Sequence, residues 1–147
     1  MLHTTDGRHT ATDYLGWRLK AMTDQELHAL CQQYGHWCRT RRLLAPPVPS
    51  TILARLQARR HVGEVPDAPL DAQMPFINMA VHALAEEDPE AGICFTLYHV
   101  HGFRPVKVMA AALGIGTRTF YDRLNRHARR ICILARNIRR AHEESSA

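Results

Sequence analysis

Val106-Lys-Val-Met-Ala-Ala-Ala-Leu-Gly-Ile-Gly-Thr-Arg-Thr-Phe-Tyr-Asp-Arg-Leu124 decides how this chain is read. Ala110 is small enough for two crossing helices to meet at it. Gly114 stands four residues later, where a sharp turn needs a positive φ that glycine adopts without steric cost. Met109, Leu113, Ile115, Phe120 and Leu124 are spaced to be buried between the two helices and the helix before them. This pattern predicts a helix-turn-helix, whose second helix enters the major groove of DNA.

Charge points the same way. Ten of the 19 Lys and Arg residues lie between Arg104 and Arg140, and Asp122 is the lone acid there, for a local net charge of +9. Residues 1–103 carry 9 basic and 11 acidic groups, a net of −2, so the whole-chain value of +5 conceals a strong division. A cationic face on a recognition helix is the footprint of a polyanion binder. Nine of the ten cations are arginine, which suits bidentate contacts to phosphate and guanine.

The remaining features bound the class. A chain of 147 residues can bury a real core. No apolar run is long enough to span a membrane, and the first ten residues lack the apolar stretch of a signal peptide. A cytoplasmic protein with reduced thiols at Cys31, Cys38, Cys94 and Cys132 is expected.

Residues 1–11 read as a flexible tail, and 12–147 as one all-α domain. Its N-terminal helices occupy 12–45, its middle helices 50–86 and the helix-turn-helix region 88–142. Thr12 and Asp13 cap a short helix bearing Trp17. Thr23-Asp-Gln-Glu26 is a capping box. The helix it opens carries Leu27, Leu30, Cys31, Tyr34, Trp37 and Cys38 and ends near Arg42 or Leu44, before Ala45-Pro-Pro-Val-Pro49. Ser50 or Thr51 caps a helix from Ile52 to about Arg60. Another spans about Leu70 to Ala85. Asp88 caps the next, with Pro89 in its first position and Gly102 at its end. The last helix starts at Gly116 or Thr117, runs to about Ala141, and buries Phe120, Leu124, Ala128, Ile131, Ala135 and Ile138. At that length its C-terminal half must pack on something besides the preceding helix. Trp17, Tyr34 and Trp37 lie on apolar stripes and are expected in the core.

Segment 90–130 resembles the sigma region-four type of helix-turn-helix found in phage late-gene antitermination proteins of the Q class. The likeness rests on Leu97-Tyr98-His99-Val100-His101-Gly102-Phe103, on Ala111-Ala112-Leu113-Gly114-Ile115, and on Thr119-Phe120-Tyr121-Asp122-Arg123-Leu124. Tyr34-Gly35-His36-Trp37-Cys38-Arg39 resembles the Gly-x-Trp-x-Arg element near the start of several such chains. The resemblance implies a factor that binds double-stranded DNA beside a late promoter in a bacterial host cell. It then engages RNA polymerase holoenzyme and lets it read through terminators. Oligomers can form on the DNA. Gly116 departs from the family pattern, where serine is the commoner N-cap.

On a helix starting at Thr117, Arg118, Thr119, Asp122, Arg123 and Arg126 fall opposite Phe120 and Leu124, with Tyr121 at the margin. These six are the expected base contacts. Asp122 either accepts from a cytosine amino group or pairs with Arg118 or Arg126. Arg104, Lys107, Thr117, Arg129 and Arg130 are the expected backbone contacts, Thr117 with the free amides of the helix start. Arg136, Arg139 and Arg140 lie beyond the groove-facing turns, where flanking phosphates, nascent RNA and an acidic polymerase surface are all open as contacts.

Cys31 and Cys38, with His28 and His36, lack the close pairs of a structural zinc site. The paired cysteines of the zinc finger seen in some Q-class proteins are absent too, and no metal or cofactor is expected. The sequence carries no nucleophile signature or phosphate-cradling loop, so no enzyme is expected. A sigma-like or other helix-turn-helix regulator is the nearest alternative. A DNA-packaging adaptor of the small-terminase type is another.

Overall fold

The computed structural model describes residues 22–41, 45–56 and 72–146. The expected tail at 1–11 and the helix bearing Trp17 lie outside them. Among the described residues the fold is all-α: six α-helices, a π-helical segment and no strand. The helices are α1 (Asp24–Arg41), α2 (Ser50–Arg55), α3 (Met74–Glu87), α4 (Pro89–Phe95), α5 (Val106–Leu113) and α6 (Thr117–Ser146). The π segment, Thr96–Val100, continues directly from α4.

The capping box forms as its spacing requires. The Thr23 backbone amide donates to Glu26 Oε1 (2.9 Å), and the Glu26 amide donates to Thr23 Oγ1 (3.1 Å). Leu27, Cys31, Tyr34 and Cys38 are then buried at helical spacing, with Trp37 beside them. The Tyr34 hydroxyl donates to Asn78 Oδ1 (2.8 Å), tying α1 to α3. Asp88 ends α3 by donating its amide to Leu84 O (2.8 Å) and caps α4, Oδ1 accepting from the Ala91 amide (3.3 Å).

Three boundaries differ from expectation, each for a local reason. In α2, Pro49 takes the cap position in extended geometry and its carbonyl accepts from the Ile52 and Leu53 amides. Ser50 is therefore the first helical residue rather than a cap, the helix ends at Arg55, and residues 57–60 are not described. α3 starts at Met74 instead of Leu70, because Pro75 lacks an amide hydrogen and belongs in a first turn. α6 continues past Ala141 to Ser146. Its last turns rest on α3, where Phe76 meets His142 (ring centroids 5.5 Å apart), and within α6 itself Arg139 Nε donates to Glu143 Oε2 (3.3 Å).

The largest departure lies after Phe95. One helix from Pro89 to Gly102 was expected, but its last five residues widen into the π segment, with the His101 amide bonded to Thr96 O (2.9 Å). α1 packs against this segment at Gly35. A Cβ there would stand 1.8 Å from the His99 carbonyl oxygen. Arg39 Nη1 donates to the carbonyls of His99 (3.2 Å) and Val100 (2.7 Å), and Gln32 Nε2 lies 3.1 Å from His99 Nδ1. The Gly35-x-Trp37-x-Arg39 spacing thus has a packing role: a missing side chain lets two backbones meet, and an arginine serves the carbonyls left without helical partners.

A hydrophobic cluster drawn from five of the six helices, with Ile52 and Leu53 of α2 packed against it, holds the described residues together. α6 is its spine. Phe120, Leu124, Ala128, Ile131 and Ala135 are buried as expected, and Ile138 is partly buried. His127 and Cys132 join that face. α3 covers the second half of α6, while α5 lies against the first.

Candidate nucleic-acid interface

α5 and α6 are joined by a turn that the local sequence dictates. Gly114 has φ +72°, and no atom lies within 4 Å of where its Cβ would be, so backbone conformation alone selects glycine. The Ile115 amide donates to Ala110 O (2.9 Å) and the Gly114 amide to Ala111 O (3.1 Å), the paired bonds of a Schellman ending. α6 then begins at Thr117, with Gly116 O accepting from the Phe120 amide (3.0 Å). Val106, Met109, Ala110, Phe120 and Leu124 are buried around this turn.

The outward side of the first turns of α6 is open. Thr117, Arg118, Thr119, Tyr121, Asp122 and Arg126 are all exposed, as is Lys107 on α5. Asp122 forms no ion pair with Arg118 or Arg126. Arg118, Arg126 and Lys107 have no acidic partner among the described residues.

Four of the proposed contacts already have partners within the protein, although Arg104 and Arg129 stay exposed. Arg123 is half-buried, its Nη1 3.8 Å from Glu90 Oε1, because its position on α6 faces the start of α4. Arg129 pairs with Asp24 at the start of α1, and Arg130 with Glu87 at the end of α3. Arg104 lies 3.5 Å over the Tyr98 ring, with Nη1 donating to the carbonyls of Tyr98 (3.1 Å) and Phe103 (2.6 Å). Glu90 and Glu87 thus offset the flank of α6 that carries Arg123 and Arg130, while Asp24 offsets Arg129 within the exposed sector.

Helical spacing of 100° per residue puts Arg118, Asp122, Arg126, Arg129, Arg136 and Arg140 in one sector about 80° wide and about 33 Å long. Arg55, which sequence reasoning did not single out, joins this region from α2. Its Nη1 donates to Ala112 O (2.9 Å) at the end of α5, beside the Gly114 turn. Nothing local in the sequence brings it there; the packing of α2 on α5 does.

Buried polar groups lie behind this surface. His99 is almost wholly buried; burial first, then the charges of His28 and Arg104, push its pKa down to about 3. His127 is also buried, neither ring nitrogen has a partner, and its pKa is lowered chiefly by desolvation. Desolvation also raises the Cys94 thiol to about 11 and Cys132 to about 12, so neither is an activated thiolate near neutral pH. Among the described residues no three His, Cys, Asp or Glu side chains gather to hold a metal, and no helix is long and apolar enough to cross a membrane.

Neither protein families, nor characterised proteins, nor solved structures yield a match to this chain, so its function is read from its own residues.

Proposed function

We propose that the chain binds double-stranded DNA by laying the first turns of α6 in a major groove. The observation that carries this reading is the open arginine edge after the Gly114 turn: Arg118 and Arg126 exposed and without acidic partners, opposite a buried Phe120–Leu124 face. Arg118, Thr119, Tyr121, Asp122 and Arg126 reach base edges. Lys107, Arg55 and the free amides at Thr117 meet phosphates. Arg123 serves as a base contact only if it leaves Glu90.

Selection of duplexes from a mixed-sequence pool, followed by binding at two salt concentrations, tests this reading. Arg118→Ala and Arg126→Ala should each cost about 1–3 kcal/mol and relax specificity at one position. Lys107→Ala should lower affinity uniformly and reduce the salt slope by about 1. Unchanged affinity and selectivity in both arginine variants would end the proposal.

Within that reading we assign the chain to transcription antitermination in a phage or prophage, with RNA polymerase holoenzyme as second partner. The supports are the resemblance of 90–130 and the Gly35–Arg39 element, which here clasps the same helix that leads into α5. Run-off transcription across a terminator separates it from its rivals. Readthrough dependent on a promoter-proximal site supports antitermination. An effect on initiation alone indicates a simple regulator. A ring-sized assembly with no transcriptional effect indicates a packaging adaptor.

A further inference from the structure

The arginine sector of α6 is interrupted by one large apolar residue. Ile133 is 50% exposed and stands, by helical spacing, among Arg126, Arg129, Arg136 and Arg140. Single exposed apolar residues are ordinary. This one borders a hollow of about 90 Å³ where the start of α1 meets α6, lined by Met22, Leu27, Arg129, Cys132 and Ile133. Leu27 and Cys132 are themselves buried and give the hollow an apolar base. Arg136 and Arg140 have no acidic partner among the described residues. Arg129 has Asp24, but that carboxylate is 82% exposed and the pair is readily exchanged.

We propose that this patch docks an acidic, amphipathic segment of another protein, one apolar side chain entering the hollow beside Ile133 and flanking carboxylates meeting Arg129, Arg136 and Arg140. Charge complementarity fixes the sign of the partner. Guanidinium groups hold carboxylates in bidentate pairs, and arginine is enriched in the hot spots of protein interfaces, which fill well-packed pockets. A duplex backbone brings negative charge without an apolar side chain to fill the hollow. The patch lies beyond the groove-facing turns, so the inference stands whether or not those turns bind DNA.

The test titrates the full chain into a short labelled helical peptide of Leu and Glu, and into a counterpart of equal charge with Ser in place of Leu. The Leu/Glu peptide should bind about tenfold or more tightly than the Ser/Glu peptide, a ratio reflecting partial burial of an apolar side chain. Ile133→Asp should remove that advantage while circular dichroism and duplex binding stay unchanged. Arg136→Gln with Arg140→Gln should weaken both peptides and leave selected-duplex affinity within about twofold, as expected for charges away from the groove. Equal affinity for the two peptides would overturn the proposal in favour of plain polyanion attraction. Loss of duplex binding in the Arg136/Arg140 variant matching its loss of peptide would assign the patch to DNA. A concentration-dependent doubling of mass that Ile133→Asp abolishes would assign it to a second copy of this chain. A chain that ignores duplex DNA yet keeps the Leu/Glu preference would sink the proposed function and leave this one standing.

Discussion

Among the described residues two helices end on a left-handed glycine, Gly102 after the π segment and Gly114 before α6, with φ of +68° and +72°. The devices match, but their supports do not. The Gly114 ending is made by its own bonds, which span a few residues, with one bond from Arg55 to the Ala112 carbonyl added from outside. The Gly102 ending leans on α1, some sixty residues away in sequence, through Gly35, Gln32 and Arg39. The first is a local structure that packing preserves; the second is a structure that packing creates.

The sharpest way to break this contrast is to fill the contact behind the remote ending. Gly35→Ala would place a Cβ against the His99 carbonyl. The clash is with backbone, so α1 must move off the π segment, and the expected loss of stability is about 3 kcal/mol or more. Urea unfolding would measure it. A loss below about 1 kcal/mol would mean that the two backbones part easily and that the π segment does not depend on α1.

Acid should distinguish the two endings next. His99 sits inside the remote one, neutral, with its folded pKa near 3 against an ordinary value of 6.5. Below pH 6.5 the unfolded chain takes up this proton and the folded chain does not, so stability falls as pH drops from 6.5 toward 3. By pH 5 the loss from His99 is about 2 kcal/mol, and His127, lowered by burial, adds in the same direction. Denaturation midpoints at pH 7.5 and 5.0 report the sum. His99→Gln should flatten the curve; an unchanged slope would mean that His99 is not kept neutral. The Gly114 turn holds no histidine, and its amides should lose hydrogen-exchange protection only as far as the whole fold does.

The local ending is tested by its own glycine. Gly114→Ala meets no clash, since nothing lies within 4 Å of the added carbon. Its cost is the left-handed conformation alone, about 1–2 kcal/mol, less than for Gly35→Ala despite the stricter φ. Should the order of the two variants reverse, the local ending would be the more constrained one.

The same division explains what the sequence disclosed. The Thr23–Glu26 box, the Asp88-Pro89 start and the Gly114 turn are set by neighbours in the chain and could be read from spacing. So could the burial of Tyr34, Trp37, Phe120 and Leu124. The π segment could not, because its contacts are with Gly35 and Arg39 of another helix, which local spacing does not encode. Pairing of Arg123 with Glu90 and of Arg55 with the Ala112 carbonyl depends on which helices meet, which periodicity does not encode. His127 was missed for a different reason: histidine reads as polar, yet here it completes an apolar face. Of the proposed interface, the exposed edge at Arg118 and Arg126 was legible from helical spacing; the partners that engage Arg104, Arg123, Arg129 and Arg130 were not.

The smallest expected effect sits at the junction between the Gly114 turn and α6. Gly116 occupies the cap position of α6, has no positive φ, and has open space where a Cβ would go. Neither conformation nor packing requires glycine there. Serine can adopt the cap geometry and offer its hydroxyl to an amide of the first turn, so Gly116→Ser should stabilise the fold by roughly 0.3 kcal/mol, the small difference between these two caps. The gain should appear as slower hydrogen exchange at Thr119 and Phe120, with the Gly102 ending unaffected. Destabilisation by Gly116→Ser would mean that the start of α6 requires glycine after all, and the turn would then be strained at two positions instead of one.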